Sequence, residues 1–164
     1  MTASHIDLFT IDDNGQFQLA SAGQVIEAAL AILDEKVMRN GLISAPADAS
    51  AFFSLRLGSL EHEVFAAIFL DAQNRVIEYI ELFRGTLTQT SVYPREVVKT
   101  SLRLNAAAVI FAHNHPSGVP EPSRADENLT KVLKDALALV DVRVLDHVVV
   151  AGGASVSFAQ RGLL

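Results

Sequence analysis

Residues 113–126 read His-Asn-His-Pro-Ser-Gly-Val-Pro-Glu-Pro-Ser-Arg-Ala-Asp, and their types and spacing fit metal chemistry. His113 and His115 close an apolar run, Ala106 to Ala112. Side chains at i and i+2 of a strand point the same way, so the two imidazoles can converge on one ion while Asn114 faces elsewhere. Pro116 and Gly118 stop the strand and turn the chain, and Asp126 can then close the set from the next element. Two His and one carboxylate leave a tetrahedral ion one open position for water. Catalytic zinc has that arrangement, whereas structural zinc is enclosed by four protein ligands. The expected chemistry is that of a metallohydrolase with Zn2+ held by His113, His115 and Asp126.

A three-ligand site also needs a base for the proton of the bound water. Glu61, Glu63, Asp71, Glu78, Glu81 and Glu96 stand at strand or loop ends in the first half of the unit. Glu63 abuts the most apolar strand, where a carboxylate is costly unless it has a partner or a task. Glu61, two residues earlier, is the reserve. Ser123 fits a helix cap with Asp126 three residues on, and its hydroxyl can also donate to a developing oxyanion. Ser117 satisfies the turn. His147 sits between apolar stretches and reads as a structural group or a support for a ligand rather than a ligand itself. His5 and His62 read as surface residues. Arg95 and Lys99 are candidates for the substrate entrance, with solvated helix charge as the default.

The elements that position these residues follow from periodicity. Ile6–Ile11 and Gln16–Ala20 flank Asp-Asp-Asn-Gly, a hairpin signal. Ser21 caps a helix carrying Val25, Ile26, Ala29, Leu30, Leu33 and Val37 at helical spacing, with Gly41 as its stop. Pro46 marks a linker, and a second helix is expected over about 48–57. The near-continuous apolar run from Val64 reads as a strand covered on both faces, turned at 71–75 into a strand over 76–83. Pro94 opens a helix to about Leu104 whose buried side is Val97, Val98 and Leu102. The strand 107–113 follows, then a helix from Ser123 with Leu129, Val132, Leu133, Ala136, Leu137 and Val140 inward. Strands are expected at 142–145, 148–151 and 156–158. This alternation predicts an α/β domain with a mixed sheet flanked by helices. Residues 1–47 form an N-terminal hairpin-plus-helix extension and 48–164 the main unit.

The chain has 164 residues, half of them hydrophobic, enough for one domain with a real core. It has no cysteine, so disulfides and thiolate metal sites are excluded and metal ligands must be N and O donors. The first twenty residues hold Asp7, Asp12 and Asp13 and no Lys or Arg, unlike a secretory signal. No apolar run reaches the roughly 20 residues of a membrane span. A cytoplasmic protein with no membrane partner is expected. The net charge of −6 and the scattered basic residues disfavour nucleic acid as a partner.

The combined pattern of His113-Asn-His115-Pro-Ser-Gly, Pro-Ser123-x-x-Asp126 and Leu-Asp-His147 resembles the RadC branch of the JAB/MPN metalloenzyme superfamily, which carries the JAMM motif. The resemblance covers roughly residues 50–164. It includes Phe69-Leu70-Asp71, Gly85-Thr86-Leu87, Tyr93-Pro94-Arg95-Glu96, Ser157-Phe158 and Gly162. It implies the JAB/MPN, cytidine-deaminase-like architecture, with His113, His115 and Asp126 as zinc ligands and Ser123 as the oxyanion hydroxyl. The motif's Glu begins the first strand of the domain, which favours Glu63 over Glu61. Longer RadC proteins carry an N-terminal helix-hairpin-helix segment associated with DNA. The first fifty residues here lack its glycine-hairpin pattern, so a short stand-alone form is expected.

Three functions compete at this stage. The leading one is a zinc-dependent hydrolase acting on a peptide or isopeptide bond of a peptide or protein substrate. The second is a DNA-repair-associated or nucleic-acid-processing protein using the same metal site. The third is a non-catalytic interaction module whose zinc serves stability. The sequence carries no signal for oligomeric state.

Overall fold

The computed structural model describes residues 7–12, 14–34, 43, 45–85 and 91–164. Two short strands, β1 (Phe9–Ile11) and β2 (Phe17–Leu19), form the expected hairpin. The Asp12 carboxylate accepts the amides of Asn14 and Gln16 across the turn. Helix α1 (Ala22–Asp34) follows, with Ser21 and Gln24 capping its start as the sequence suggests. The expected stop at Gly41, together with Val37 and His5, lies outside the described residues.

Helix α2 (Pro46–Leu57) starts earlier than expected. Pro46 is its first residue rather than part of a linker, because proline lacks only an amide that a first turn leaves unbonded anyway. Asp48 supports that turn by accepting the Ala45 amide. The strands β3 (Val64–Leu70) and β4 (Val76–Arg84), helix α3 (Pro94–Arg103), strand β5 (Ala108–Asn114) and helix α4 (Arg124–Ala138) appear near their expected limits. Strand β6 (Arg143–Ala151) is continuous where two strands were expected, and β7 (Ala154–Ser157) runs into a short helix, α5 (Phe158–Arg161).

The main sheet has the order β4-β3-β5-β6-β7, antiparallel except for the parallel β5–β6 pair that α4 connects. It is therefore the mixed sheet between helices that the sequence predicts. Helix α2 covers one face, where Phe52, Phe53 and Leu57 meet Ala66, Ile68, Ile110, Ala112, Val148 and Val150. Helices α3 and α4 cover the other, where Val97, Leu133 and Leu137 meet Phe65, Phe69, Val109 and Phe111. Among the described residues, no helix is long and apolar enough to cross a membrane.

The period of two assigns every chemical residue to a side. In β5, Ala112 and Asn114 belong to the α2 face, so Phe111 and His113 belong to the α3/α4 face. In β6 the register slips by one, with Val109 opposite Val144 but Ile110 opposite Asp146. Leu145 is the inserted residue, and such a bulge reverses the alternation beyond it. Without it Asp146 would follow Val144 onto the α3/α4 face; with it His147 takes that place. In the sequence the polar pair Asp146-His147 separates the two apolar stretches, so the segment reads as two strands.

Two expected core residues point outward. Val132 is 51% and Leu102 57% exposed. On α4 the inward stripe runs through Thr130, Leu133 and Leu137, and Val132 falls a helical step to its side. On α3, Ser101 is buried in place of its neighbour Leu102, its hydroxyl donating to the Val97 carbonyl. Phe69 tests the layer under α3 and α4, being fully buried in it. Phe69→Ala is expected to cost about 3–5 kcal/mol, read as a lower urea midpoint. An unchanged midpoint would contradict this packing.

Candidate metal centre

The centre forms where β5 ends and α4 begins. His113 is 2% exposed on the α3/α4 face. His115 lies one residue beyond β5, yet its amide still donates to the Val150 carbonyl at 2.8 Å, which keeps the strand alternation. His113 and His115 therefore emerge on one side, as the i, i+2 spacing predicts. Pro116-Ser117-Gly118 then reverses the chain. Gly118 has φ +82°, a left-handed conformation that glycine adopts without a Cβ penalty, and its amide closes the turn on the His115 carbonyl.

Asp126 is the third residue of α4, and its position is set by a capping box. Its Oδ2 accepts the Ser123 amide at 2.7 Å and the Ser123 hydroxyl at 2.6 Å, while Ser123 Oγ accepts the Asp126 amide at 3.2 Å. The cap aims the carboxylate at the imidazoles. His113 Nε2 lies 2.9 Å from His115 Nε2 and 3.4 Å from Asp126 Oδ1, and His115 Nε2 lies 3.6 Å from Asp126 Oδ2. Among the described residues this is the one cluster of His and carboxylate groups suited to an ion. Donors bound at 2.0–2.1 Å around a tetrahedral zinc stand about 3.3 Å apart. The nitrogen–nitrogen separation and the separations to the two different Asp126 oxygens lie near that value, and one donor atom from each residue falls within 4.8 Å of the others, so the residues present fit a divalent cation.

The electrostatics agree with close packing of one acid and two bases. Burial alone would raise the Asp126 pKa, but the adjacent His113 and His115 imidazoles, the charge of His113 when protonated, and the Ser123 hydroxyl hold it well below the usual carboxylate range. Asp126 in turn raises His115 above its ordinary value, against burial, with help from the Val119 carbonyl and the charge of Glu63. His115 Nδ1 is 2.8 Å from the Val119 carbonyl, which can only accept, so that nitrogen carries the hydrogen, and in the neutral ring Nε2 keeps its lone pair.

The other candidates separate cleanly. Phe65 pairs with His113 across the antiparallel β3–β5 ladder, so Glu63, two residues before Phe65, shares the face of the centre. Glu61 is exposed beyond a bend at 61–62. Asp71 lies at the far end of β3, its carboxylate taken by the amides of Gln73 and Arg75 and by the Arg75 guanidinium. Glu81 accepts from the Tyr79 hydroxyl on β4, and Glu96 pairs with Lys99 and Arg95 on α3, which are solvated charges. His62 is half-buried rather than a plain surface residue, its Nδ1 3.5 Å from Arg84.

His147 is fully buried and is not part of the donor cluster. Its Nε2 lies 2.8 Å from His113 Nδ1, and its Nδ1 lies 2.6 Å from Thr130 Oγ1. Phe158 stacks on the ring and Phe65 meets it edge-on. Burial, reinforced by the charge of His113, drives its pKa well below the ordinary value.

Three residues that sequence reasoning passes over belong to this region. Asn114 points to the opposite face, where its Oδ1 accepts the Val64 amide at 2.8 Å and its Nδ2 donates to the carbonyls of His62 and Leu60. Thr130 donates to the Asp126 carbonyl at 2.6 Å. Buried Asp146 gathers the His147 amide, the Ser157 hydroxyl and the Ala159 amide.

A family model described as RadC-like JAB domain matches residues 43–163. Among curated relatives, a UPF0758 protein of Marinobacter nauticus is 51% identical over 164 residues, covering 100% of this chain and 73% of the relative. A UPF0758 protein of Leptothrix cholodnii is 54% identical over 164 residues, covering 100% of this chain and 74% of the relative. One from Vibrio cholerae is 56% identical over 147 residues, or 90% of this chain and 92% of the relative.

Proposed function

The chain belongs to the RadC-like JAB domain family, and from that premise we propose that it is a zinc-dependent hydrolase of the JAMM type, cleaving a peptide or isopeptide bond. The observation that supports this reading is the convergence of His113, His115 and Asp126 into a donor triangle, one donor atom of each lying within 4.8 Å of the others. Two imidazoles and one carboxylate without thiolate suit zinc and leave a coordination position open. A bound zinc would supply the Lewis acidity that activates water and polarises a carbonyl oxygen.

The chain's own groups would do the rest. Glu63, on the same sheet face as the triangle, would accept a proton from the attacking water and pass it to the departing nitrogen. Ser123 would turn its hydroxyl hydrogen from Asp126 Oδ2 to the developing oxyanion. With one carboxylate in the triangle and a net charge of −6, the chain is poorly suited to a polyanionic substrate.

The test is metal analysis of the purified chain followed by hydrolysis assays on peptide and isopeptide substrates. One zinc per chain and turnover of an amide bond are expected. Zinc uptake should weaken as the pH falls, because His115, whose pKa lies above its ordinary value, then holds a proton that the cation must displace. A zinc-loaded chain that leaves amides intact and cuts phosphodiesters would overturn the proposal.

A further inference from the structure

We propose that Thr130 and His147 are positioning residues that fix which nitrogen of His113 is offered to the cation, and that the order is dictated from the backbone of the other ligand, Asp126. The proposal rests on the metal-centre reading above and deepens it.

A neutral imidazole carries one donor and one acceptor, and the surroundings decide which nitrogen is which. Here the decision can be traced from one end. The Asp126 carbonyl can only accept, and Thr130 Oγ1 lies 2.6 Å from it, so the single hydroxyl hydrogen of Thr130 goes there. Toward His147 Nδ1, also at 2.6 Å, Thr130 Oγ1 can then only accept. His147 Nδ1 is therefore protonated. The ring lies fully buried among Phe65, Phe111 and Phe158, surroundings that keep it neutral, so its Nε2 has a lone pair and no hydrogen. That lone pair faces His113 Nδ1 at 2.8 Å and takes its hydrogen. His113 is left with its lone pair on Nε2, the atom that lies 2.9 Å from His115 Nε2 and 3.4 Å from Asp126 Oδ1.

No link can be reversed singly. A hydrogen on His147 Nε2 would force the lone pair of His113 onto Nδ1 and place a hydrogen on Nε2, inside the donor triangle, where it blocks an ion. The chain of contacts also joins the end of β5 to the first turns of α4 through β6, so two ligands from different elements are held by one set of hydrogen bonds. Thr130 alone would be an ordinary helical threonine bonded back to the carbonyl four residues earlier. Its second contact, to a buried ring that itself touches a ligand, is what gives it a role at the centre.

The experiment compares Thr130→Val, which keeps the shape and removes the hydroxyl, with Thr130→Ser, which keeps the hydroxyl. Zinc affinity of each full-length chain is measured by competition with a chromophoric chelator, beside thermal unfolding of the metal-free protein. Thr130→Val is expected to weaken zinc binding about 10- to 100-fold, and Thr130→Ser to restore most of it, irrespective of unfolding temperature. Equal affinity in Thr130→Val and the parent, or equal loss in both variants, would overturn the proposal. Long-range proton–nitrogen spectra of the parent add a direct reading, in which His147 should be the Nδ1-protonated tautomer and the Nε2-protonated form would refute the relay. A parent that takes up no zinc would instead defeat the metal-centre reading, and the His147 tautomer would still decide the relay.

Discussion

Asp126→Ala is expected to strip the protein of stoichiometric zinc while leaving it folded, and His113→Ala to strip the zinc at a larger cost in stability. Asp126 would contribute a ligand oxygen and forms half of a capping box. Its replacement leaves Ser123 Oγ still accepting the amide of residue 126, so the remaining half of the cap persists. Loss of the carboxylate cap should cost on the order of 1 kcal/mol. His113 is 2% exposed and supplies the hydrogen that His147 Nε2 accepts. Removing it opens a cavity and leaves a buried acceptor unsatisfied, which adds about 1–3 kcal/mol to the lost packing. The readout is zinc per chain after gel filtration, with thermal unfolding measured with and without added zinc. The parent should gain stability from zinc by mass action, since the ion binds the folded state, and neither variant should. One zinc per chain retained in both variants would end the assignment of these residues as ligands.

How much of this was legible in the sequence depends on how local each signal is. His-x-His at the end of an apolar run and Ser-x-x-Asp at a helix start are local, and each works through a fixed period. Two residues per repeat put His113 and His115 on one side of the sheet, and a capping box fixed Asp126 at the third helical position. The supports of the centre are not local. Thr130 reaches His147 across 17 positions and His147 reaches His113 across 34, so no short window contains the relay. The bulge at Leu145 arises from pairing with β5, and it breaks the alternation that a single-segment reading relies on. Val132 and Leu102 show the converse, since apolar character at roughly helical spacing marks a face only to within one residue's rotation. Buried polar neighbours, Thr130 and Ser101, hold the inward positions instead.

Glu63→Gln should keep one zinc per chain and lower turnover by about 10²- to 10⁴-fold, whereas Glu61→Gln should leave turnover near that of the parent. The amide of glutamine matches the carboxylate in shape and cannot take up a proton, so the substitution isolates proton transfer from packing. Position favours Glu63. It precedes β3 on the face shared by Phe65 and His113, and its charge reaches His115. Its backbone is also held from both sides. Asn114 accepts the amide of Val64 and donates to the carbonyls of His62 and Leu60, and the Glu63 carbonyl accepts the Gly85 amide. Asn114 is the residue between the two imidazoles, so the strand that presents His113 and His115 on one face grips the segment carrying Glu63 on the other. A shift of either would move both. Glu61 lies between the two carbonyls that Asn114 holds, but its side chain is exposed in the bend at 61–62. Turnover assays on zinc-quantified protein decide between them: parental activity in Glu63→Gln would remove it from the mechanism, and a collapse in Glu61→Gln alone would transfer the role there.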